Sequence, residues 1–228
     1  MKSRLLPIPL FLLFTLLCTG LLNSCSNEDK AAKDEGIIEF NTEATDPTHP
    51  LYGFAPASAI FKFKKDKFII EMSTMGLFNT SIIGDLHSKT LAQTVKFMNL
   101  KQACIEKEQD LIDDNKDYQL IIEESKETKE IAGLKCHKVK VTKVNDPNVK
   151  FDVWYTKELG LENCNALNPY AKVKGVLMDY RIQKMGMELH FSAKSYQRVK
   201  VPDHAFVVPA SMKIVSKEEM AKFFADLQ

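Results

Sequence analysis

From residue 59 onward, apolar and polar positions alternate at period two, the pattern of strands that bury one face. The segment AIFKFKKDKFIIEM sets Phe61 and Phe63 on one face, breaks at Lys64-Lys65-Asp66-Lys67, and resumes with Phe68, Ile70 and Met72. That is a hairpin in both pattern and turn chemistry. Residues 77–83 and 90–98 predict the next two strands, joined by Gly84-Asp85-Leu86-His87-Ser88, and 100–106 a further one. A charged stretch over 109–117 predicts a short helix. Strands then follow over 118–123, 134–141 and 149–156, and two long ones over 174–184 and 187–201 turn at Gly186. Consecutive strands with short turns imply an antiparallel meander that curls around its apolar face. Helical periodicity gathers at the end of the chain. Ser216 and Glu219 make a capping box, and Met220, Phe223, Phe224 and Leu227 then share one helical face that should dock on the sheet. A second short helix is expected near 51–55 or 161–170. The pattern as a whole predicts a mainly β fold with a few helices, of the α+β class.

The first 35 residues follow other rules. Lys2 and Arg4 precede an uncharged apolar run over 5–22, which ends at Leu22-Asn23-Ser24-Cys25. A secretory signal has this order of basic, apolar and small residues. Pro7, Pro9, Thr15, Gly20 and Asn23 speak against a membrane-spanning helix, which needs about 20 apolar residues. Leu22-Asn23-Ser24-Cys25 resembles the lipobox of bacterial lipoproteins. The resemblance implies cleavage after Ser24, a diacylglyceryl group on the Cys25 thiol and acylation of the new N-terminus. Buried methylenes at ~0.8 kcal/mol each would make that anchor stable. The competing reading is an ordinary cleaved signal with an incidental cysteine. Residues 26–35, SNEDKAAKDE, cannot bury a core and read as a flexible tether. Glu28-Asp29 loosely fits the acidic export signal that some Gram-negative groups place after the lipidated cysteine, and Ser26 gives no sign of inner-membrane retention. The expected organisation is a signal peptide over 1–24, the lipidated cysteine and tether over 25–35, and one domain over 36–228. The expected location is the outer membrane, on its periplasmic or cell-surface face.

Composition narrows the function classes. Removing the leader takes away two of the 31 basic residues and none of the 30 acidic ones, so the charge stays near neutral. Nucleic acid is an unsuitable partner for such a balance. His49, His87, His137, His190 and His204 lie far apart without metal-site spacing, and no H-E-x-x-H, G-x-S-x-G or phosphate-cradling glycine loop occurs. Cys136 and His137 are neighbours on a predicted strand, so their side chains point to opposite faces. No catalytic residue, cofactor or metal ligand is assigned, and the chain is not expected to be an enzyme. Beyond Cys25 and the leader, the cysteines are Cys104, Cys136 and Cys164. An oxidising envelope permits one disulfide among them. Cys136 with Cys164, which flank one predicted hairpin, is one reading; three separate buried thiols is the other.

Four segments carry a wider resemblance: Thr128-Lys129-Glu130-Ile131-Ala132-Gly133-Leu134-Lys135-Cys136, the FDVWYT of 151–156, Lys174-Gly175-Val176-Leu177, and Phe206-Val207-Val208-Pro209-Ala210. In this order they resemble an uncharacterised envelope-lipoprotein domain family, of unknown function and related in fold to the lipoprotein carriers LolA and LolB, over roughly 36–220. The resemblance implies an open, strongly curved antiparallel sheet, like half a barrel, with helices on its concave side. In the carriers that concavity holds acyl chains, but no motif particular to them is present here. Two expectations follow. In the first, the domain binds a hydrophobic or acyl-chain ligand in a cavity lined by Phe68, Ile70, Met72, Phe78, Trp154 and Met178. In the second, those residues fill a closed core, Trp154 anchors it, and the chain is a structural lipoprotein holding an envelope protein partner.

Overall fold

The structure is a computed structural model that describes residues 31–184 and 186–227. The expected signal peptide, its expected cleavage point at Ser24, Cys25 and Met185 lie outside the described residues. Residues 31–228 form one compact unit by themselves.

The N-terminal half is a meander of β1 (Glu35–Ala44), β2 (Ser58–Lys64), β3 (Lys67–Thr74), β4 (Phe78–Asp85), β5 (Thr90–Phe97) and β6 (Leu100–Lys107). Helix α1 (Glu108–Asp114) follows, its first turn closed by the Asp110 carboxylate accepting from the Lys107 amide at 2.9 Å. A second meander comprises β7 (Leu120–Ile131), β8 (Leu134–Lys143), β9 (Lys150–Thr156), β10 (Val176–Lys184) and β11 (Met187–Gln197). The two meanders fuse because β11, the last strand of the second, pairs antiparallel with β1, the first strand of the first. A short β12 (Lys213–Ile214) pairs in parallel with β6, and α2 (Lys217–Ala225) ends the described chain. The result is one open sheet of 12 strands, in the order β12-β6-β5-β4-β3-β2-β1-β11-β10-β9-β8-β7.

Period-two alternation assigns the faces. Ile38 and Phe40 on β1, Phe61 and Phe63 on β2, Phe68 and Met72 on β3, and Leu189 and Phe191 on β11 share one buried cluster on what we term the core face. Ile69, Ile83 and Ala92 take the opposite, back face, where Val201 and Phe206 cover them. Residues 198–212 therefore run as a strap across the back of the sheet, carrying the chain from β11 to β12 at the far edge. Lys64 fastens the strap to the sheet, donating to the Asp203 carboxylate at 2.8 Å. Helix α2 returns along the core face. Lys217 pairs with Asp114, and Phe224 and Phe223 pack on Phe78 with ring centroids 6.3 and 6.4 Å away. Burying a ring of this size stabilises the fold by roughly 1.5–3 kcal/mol. The Ser216 capping box forms as the sequence indicates, with Ser216 Oγ accepting from the Glu219 amide.

Four features differ from the sequence reading. β1 was not expected, yet it is the junction strand. The tether is packed at its far end: Ala31 is buried, Arg198 Nε donates to the Ala31 carbonyl at 2.8 Å, and Glu35 is already in the sheet. Residues 157–175 form successive turns rather than a helix, and only one 3-10 turn, Tyr52–Phe54, occurs in the other expected place. β12, which was not expected, pairs in parallel with β6 after the strap has crossed the first meander.

Candidate functional site

The core face holds a cavity of about 70 Å³, partly open to solvent. Its walls come from Phe40 and Phe61, from Phe68, Ile70 and Met72, from Ile82 and Leu91, and from Val176, Leu177, Tyr180, Ile182 and Phe191 on the other meander. Phe40, Tyr180 and Phe191 interlock, with Tyr180 stacked on Phe191 at a centroid distance of 5.0 Å. Phe68 reaches its place because its cross-strand partner is Gly84: a Cβ there would sit 2.2 Å from the ring. No side chain other than hydrogen fits under it.

The loop over 157–175 closes one side. Buried loops must satisfy their own backbone groups, and here asparagines do so. Asn165 Nδ2 donates to the Val173 carbonyl at 2.9 Å and to the Gly175 carbonyl at 2.7 Å, and Asn168 Oδ1 accepts from the Tyr170 amide at 2.8 Å. Tyr170 is fully buried, and its hydroxyl donates to the Arg181 carbonyl. Gly175 has φ +136° and lies so close to β9 that a Cβ would be 2.3 Å from the Thr156 carbonyl oxygen. Only glycine meets both demands. Cys164, Asn165 and Asn168 thereby become part of the cavity wall.

One charged group joins this apolar wall. Lys184 ends β10 two positions beyond Ile182, on the same face, and lines the cavity. Part of its surface is accessible, yet no hydrogen bond or ion pair engages its ammonium among the described residues. Burial pushes its pKa down, and the charges of Glu106 and Asp114 offset this in part. Glu106 is held up at about 7, chiefly by burial and then by its hydrogen bond to Asp114 and that group's charge; Lys184 and Lys217 oppose the shift.

Of the six residues named as candidate cavity lining, Phe68, Ile70 and Met72 lie in the wall of this cavity and the other three lie elsewhere. Phe78 belongs to an aromatic plug with Phe54, Phe97, Phe223 and Phe224, because α2 covers it. Met178 is fully buried but takes no part in the wall. A β-bulge between Leu177 and Asp179 leaves it without a cross-strand partner and turns it into the core. Trp154 alternates with the buried Val153 and Tyr155 and so faces the back. There Lys129 Nζ lies 4.3 Å and Lys138 Nζ 5.8 Å from its ring centroid. Lys138 also pairs with Glu127 at 2.8 Å and Asp152 at 3.0 Å, and Asp179 accepts from His190 Nε2 at 2.8 Å. Burial opposes charge on His190, but Asp179 and Glu43 outweigh it and raise its pKa.

The disulfide is not formed. Cys104, Cys136 and Cys164 are separate buried thiols; Cys136 Sγ donates to the Leu134 carbonyl and Cys164 Sγ to that of Gly175. Burial raises both, to about 11 and about 12, so neither is a ready nucleophile. A larger hollow of about 470 Å³ opens on the back face over β2–β5; its side chains are mostly polar, and the Ser81 and Thr94 hydroxyls meet there at 2.6 Å. No group of three or more His, Cys, Asp or Glu residues that could hold a metal occurs among the described residues. None of the described helices is long and apolar enough to cross a membrane.

No family model and no curated protein matches the chain. Among solved structures it is similar to PNGF-II in the P21 space group, with a TM-score of 0.52 and 14% identity over 85% of this chain and 34% of that one. A second PNGF-II structure, in the C2 space group, gives 0.49 and 16% over 84% and 32%. The chain thus spans about a third of the length of these proteins. At such identity the likeness is one of fold, a mainly β architecture built on one open sheet.

Proposed function

We propose that the chain is an outer-membrane lipoprotein, anchored through Cys25, whose domain holds the apolar part of a hydrophobic ligand within a half-barrel sheet. The observation that carries this reading is the cavity on the core face. Leu91 on β5 and Leu177 on β10 both line it, although six strand spacings separate them in the sheet. In a flat sheet that separation is roughly 29 Å, at about 4.8 Å per strand. Lining one small cavity from both sides supports strong curvature, the shape of the lipoprotein carriers. Volume then limits what enters. A cavity of ~150 Å³ accepts a benzene, so about 70 Å³ admits a few carbon atoms and leaves the rest of a chain at the opening. A longer insertion needs Met72 to swing aside, which its unbranched thioether allows. Placement on the periplasmic or the cell-surface face fits equally.

Native mass spectrometry of residues 31–228, after gentle purification from the bacterial envelope, tests this. A retained lipid or other apolar species is the expected result, and a clean apo mass together with no uptake of added octanoate or octanol would overturn it.

One observation favours a second reading, an interaction lipoprotein with no small-molecule ligand. Tyr52, Met75, Leu77 and Met98 are exposed at the same end of the first meander, Met75 at 89% and Met98 at 80%. Their turns stand above the aromatic plug, where Thr74 Oγ1 donates to the Phe54 carbonyl. Such a rim is suited to an envelope protein partner. Loss of a co-purifying protein in the doubly substituted Met75→Ser, Met98→Ser form would support it.

A further inference from the structure

The polar side chains around the cavity differ in one respect. Asn165 and Asn168 spend their hydrogen bonds on the loop backbone, and Lys217 is paired with Asp114. Lys184 alone presents a charge to the cavity with no hydrogen bond or ion pair among the described residues. A lysine kept beside Ile182, Tyr180 and Phe191 gives up hydration, and the charges of Glu106 and Asp114 return only part of that cost. Methionine or leucine would fill that position at less cost. Among the described residues no anion contacts its ammonium directly, so the position is suited to one that a ligand brings.

We propose that Lys184 recognises the anionic head of an amphipathic ligand, a carboxylate or a phosphate monoester, whose apolar part lies between Phe40, Phe61, Phe68 and Tyr180. This rests on the ligand-binding reading above and names the chemistry of its ligand. Charged and polar groups surround the head from β6, α1, α2 and the 157–175 loop. From β6, Glu106 faces Lys184, and with a pKa of about 7 it is largely protonated in mildly acid solution. From α1, Asp114 is engaged by Lys217 of α2, and Lys217 also donates to the Asp110 carbonyl at 3.4 Å. From the 157–175 loop come the amides of Asn165 and Asn168 and the Cys164 thiol, which burial keeps neutral. An arriving anion therefore meets two ammonium groups against one paired carboxylate and one that loses its charge as pH falls. Its affinity should rise between pH 8 and pH 6, a range in which a free fatty carboxylate stays largely ionised.

The test uses residues 31–228 and four eight-carbon probes: octanoate, octyl phosphate, octanol and octyltrimethylammonium. Titration calorimetry should rank either anion at least tenfold above octanol, with the cation weakest. Preference for octanoate points to a free fatty carboxylate as the natural source, and preference for octyl phosphate to a phosphate-bearing lipid. In Lys184→Met the advantage of the anions over octanol should vanish while octanol binding stays within about twofold, and Lys184→Arg should restore it. Equal binding of octanol and both anions to the unaltered protein would overturn the proposal and leave the apolar cavity standing. Binding of none of the four would overturn both. Because that ranking needs no variant, a Lys184→Met chain that fails to fold leaves the test intact.

Discussion

Glu106 shows how one residue couples this site to the whole domain. Its carboxyl is disfavoured as a charge by burial and by Asp114, so its folded pKa stands above the ordinary carboxylate value of 4.5, at about 7. A raised acid pKa means that the folded state holds the proton more tightly than the unfolded one. The resulting stability is fully present below the unfolded value and is lost as pH rises through about 7. Thermal melts between pH 4.5 and 8 should show this as a falling contribution, and Glu106→Gln should flatten that part of the profile. An unchanged profile in the variant would mean that Glu106 is not the source of the pH dependence. Lys184 acts in the opposite direction, since its lowered pKa makes the unfolded state bind more protons as the ordinary lysine range is approached, so its contribution grows with pH. Lys184 was also within reach of the sequence. Tyr180, Ile182 and Lys184 share one strand face at period two, and a lysine continuing an apolar row is a signal that alternation alone reveals. Met178 was not within reach, because nothing in VLMDY announces the bulge that turns it inward.

Among the elements, the loop over 157–175 carries an unusual burden. It has no regular structure, yet Leu159, Tyr170 and Val173 are almost completely buried. Asn165 is the reason it can be buried at all, because its amide serves two carbonyls that no strand reaches. Replacing Asn165 with alanine should cost about 1–3 kcal/mol, as the buried Val173 carbonyl loses its donor and that of Gly175 keeps only the weak Cys164 thiol. Denaturant unfolding monitored by circular dichroism reads this directly, and a loss below about 0.5 kcal/mol would show that water takes over the role. The sequence gives composition but no period here, so the reading offered a helix. Strand β7 poses the reverse problem. Its Glu123, Glu124, Lys126, Glu127, Lys129 and Glu130 obscure a period-two pattern beyond residue 123, yet these charges suit an edge strand that must not pair with other chains. β1 was missed for a related reason. Ile37 and Ile38 are adjacent, and the acidic tether runs into them, so the alternation of Ile38, Phe40 and Thr42 stands out only once the core face is known.

The whole molecule is two meanders joined along a single pair of strands. The hairpins of both halves were legible because neighbours in sequence are neighbours in space. The seam was not, because Ile37 pairs with Gln197 and no local pattern reports a contact of that range. The seam also decides whether the sheet behaves as one body. Amide hydrogen exchange should find β1 and β11 as slow as β3 and β4, opening only with the whole domain, and β7 fastest among the strands. Faster exchange at β1 and β11 than inside either meander would mean that the halves open separately.

That seam has a consequence for the chain while it is being made. β1 is among the first segments of the domain to leave the ribosome, and its partner β11 among the last. At ~5–20 residues per second, the interval is on the order of ten seconds or more. Throughout it, β1 offers an apolar face and an unpaired edge that any passing strand can capture. A nascent chain with this layout depends on being kept unfolded, or shielded by another protein, until its far end arrives. In the cell, the first demand placed on this protein is one of timing.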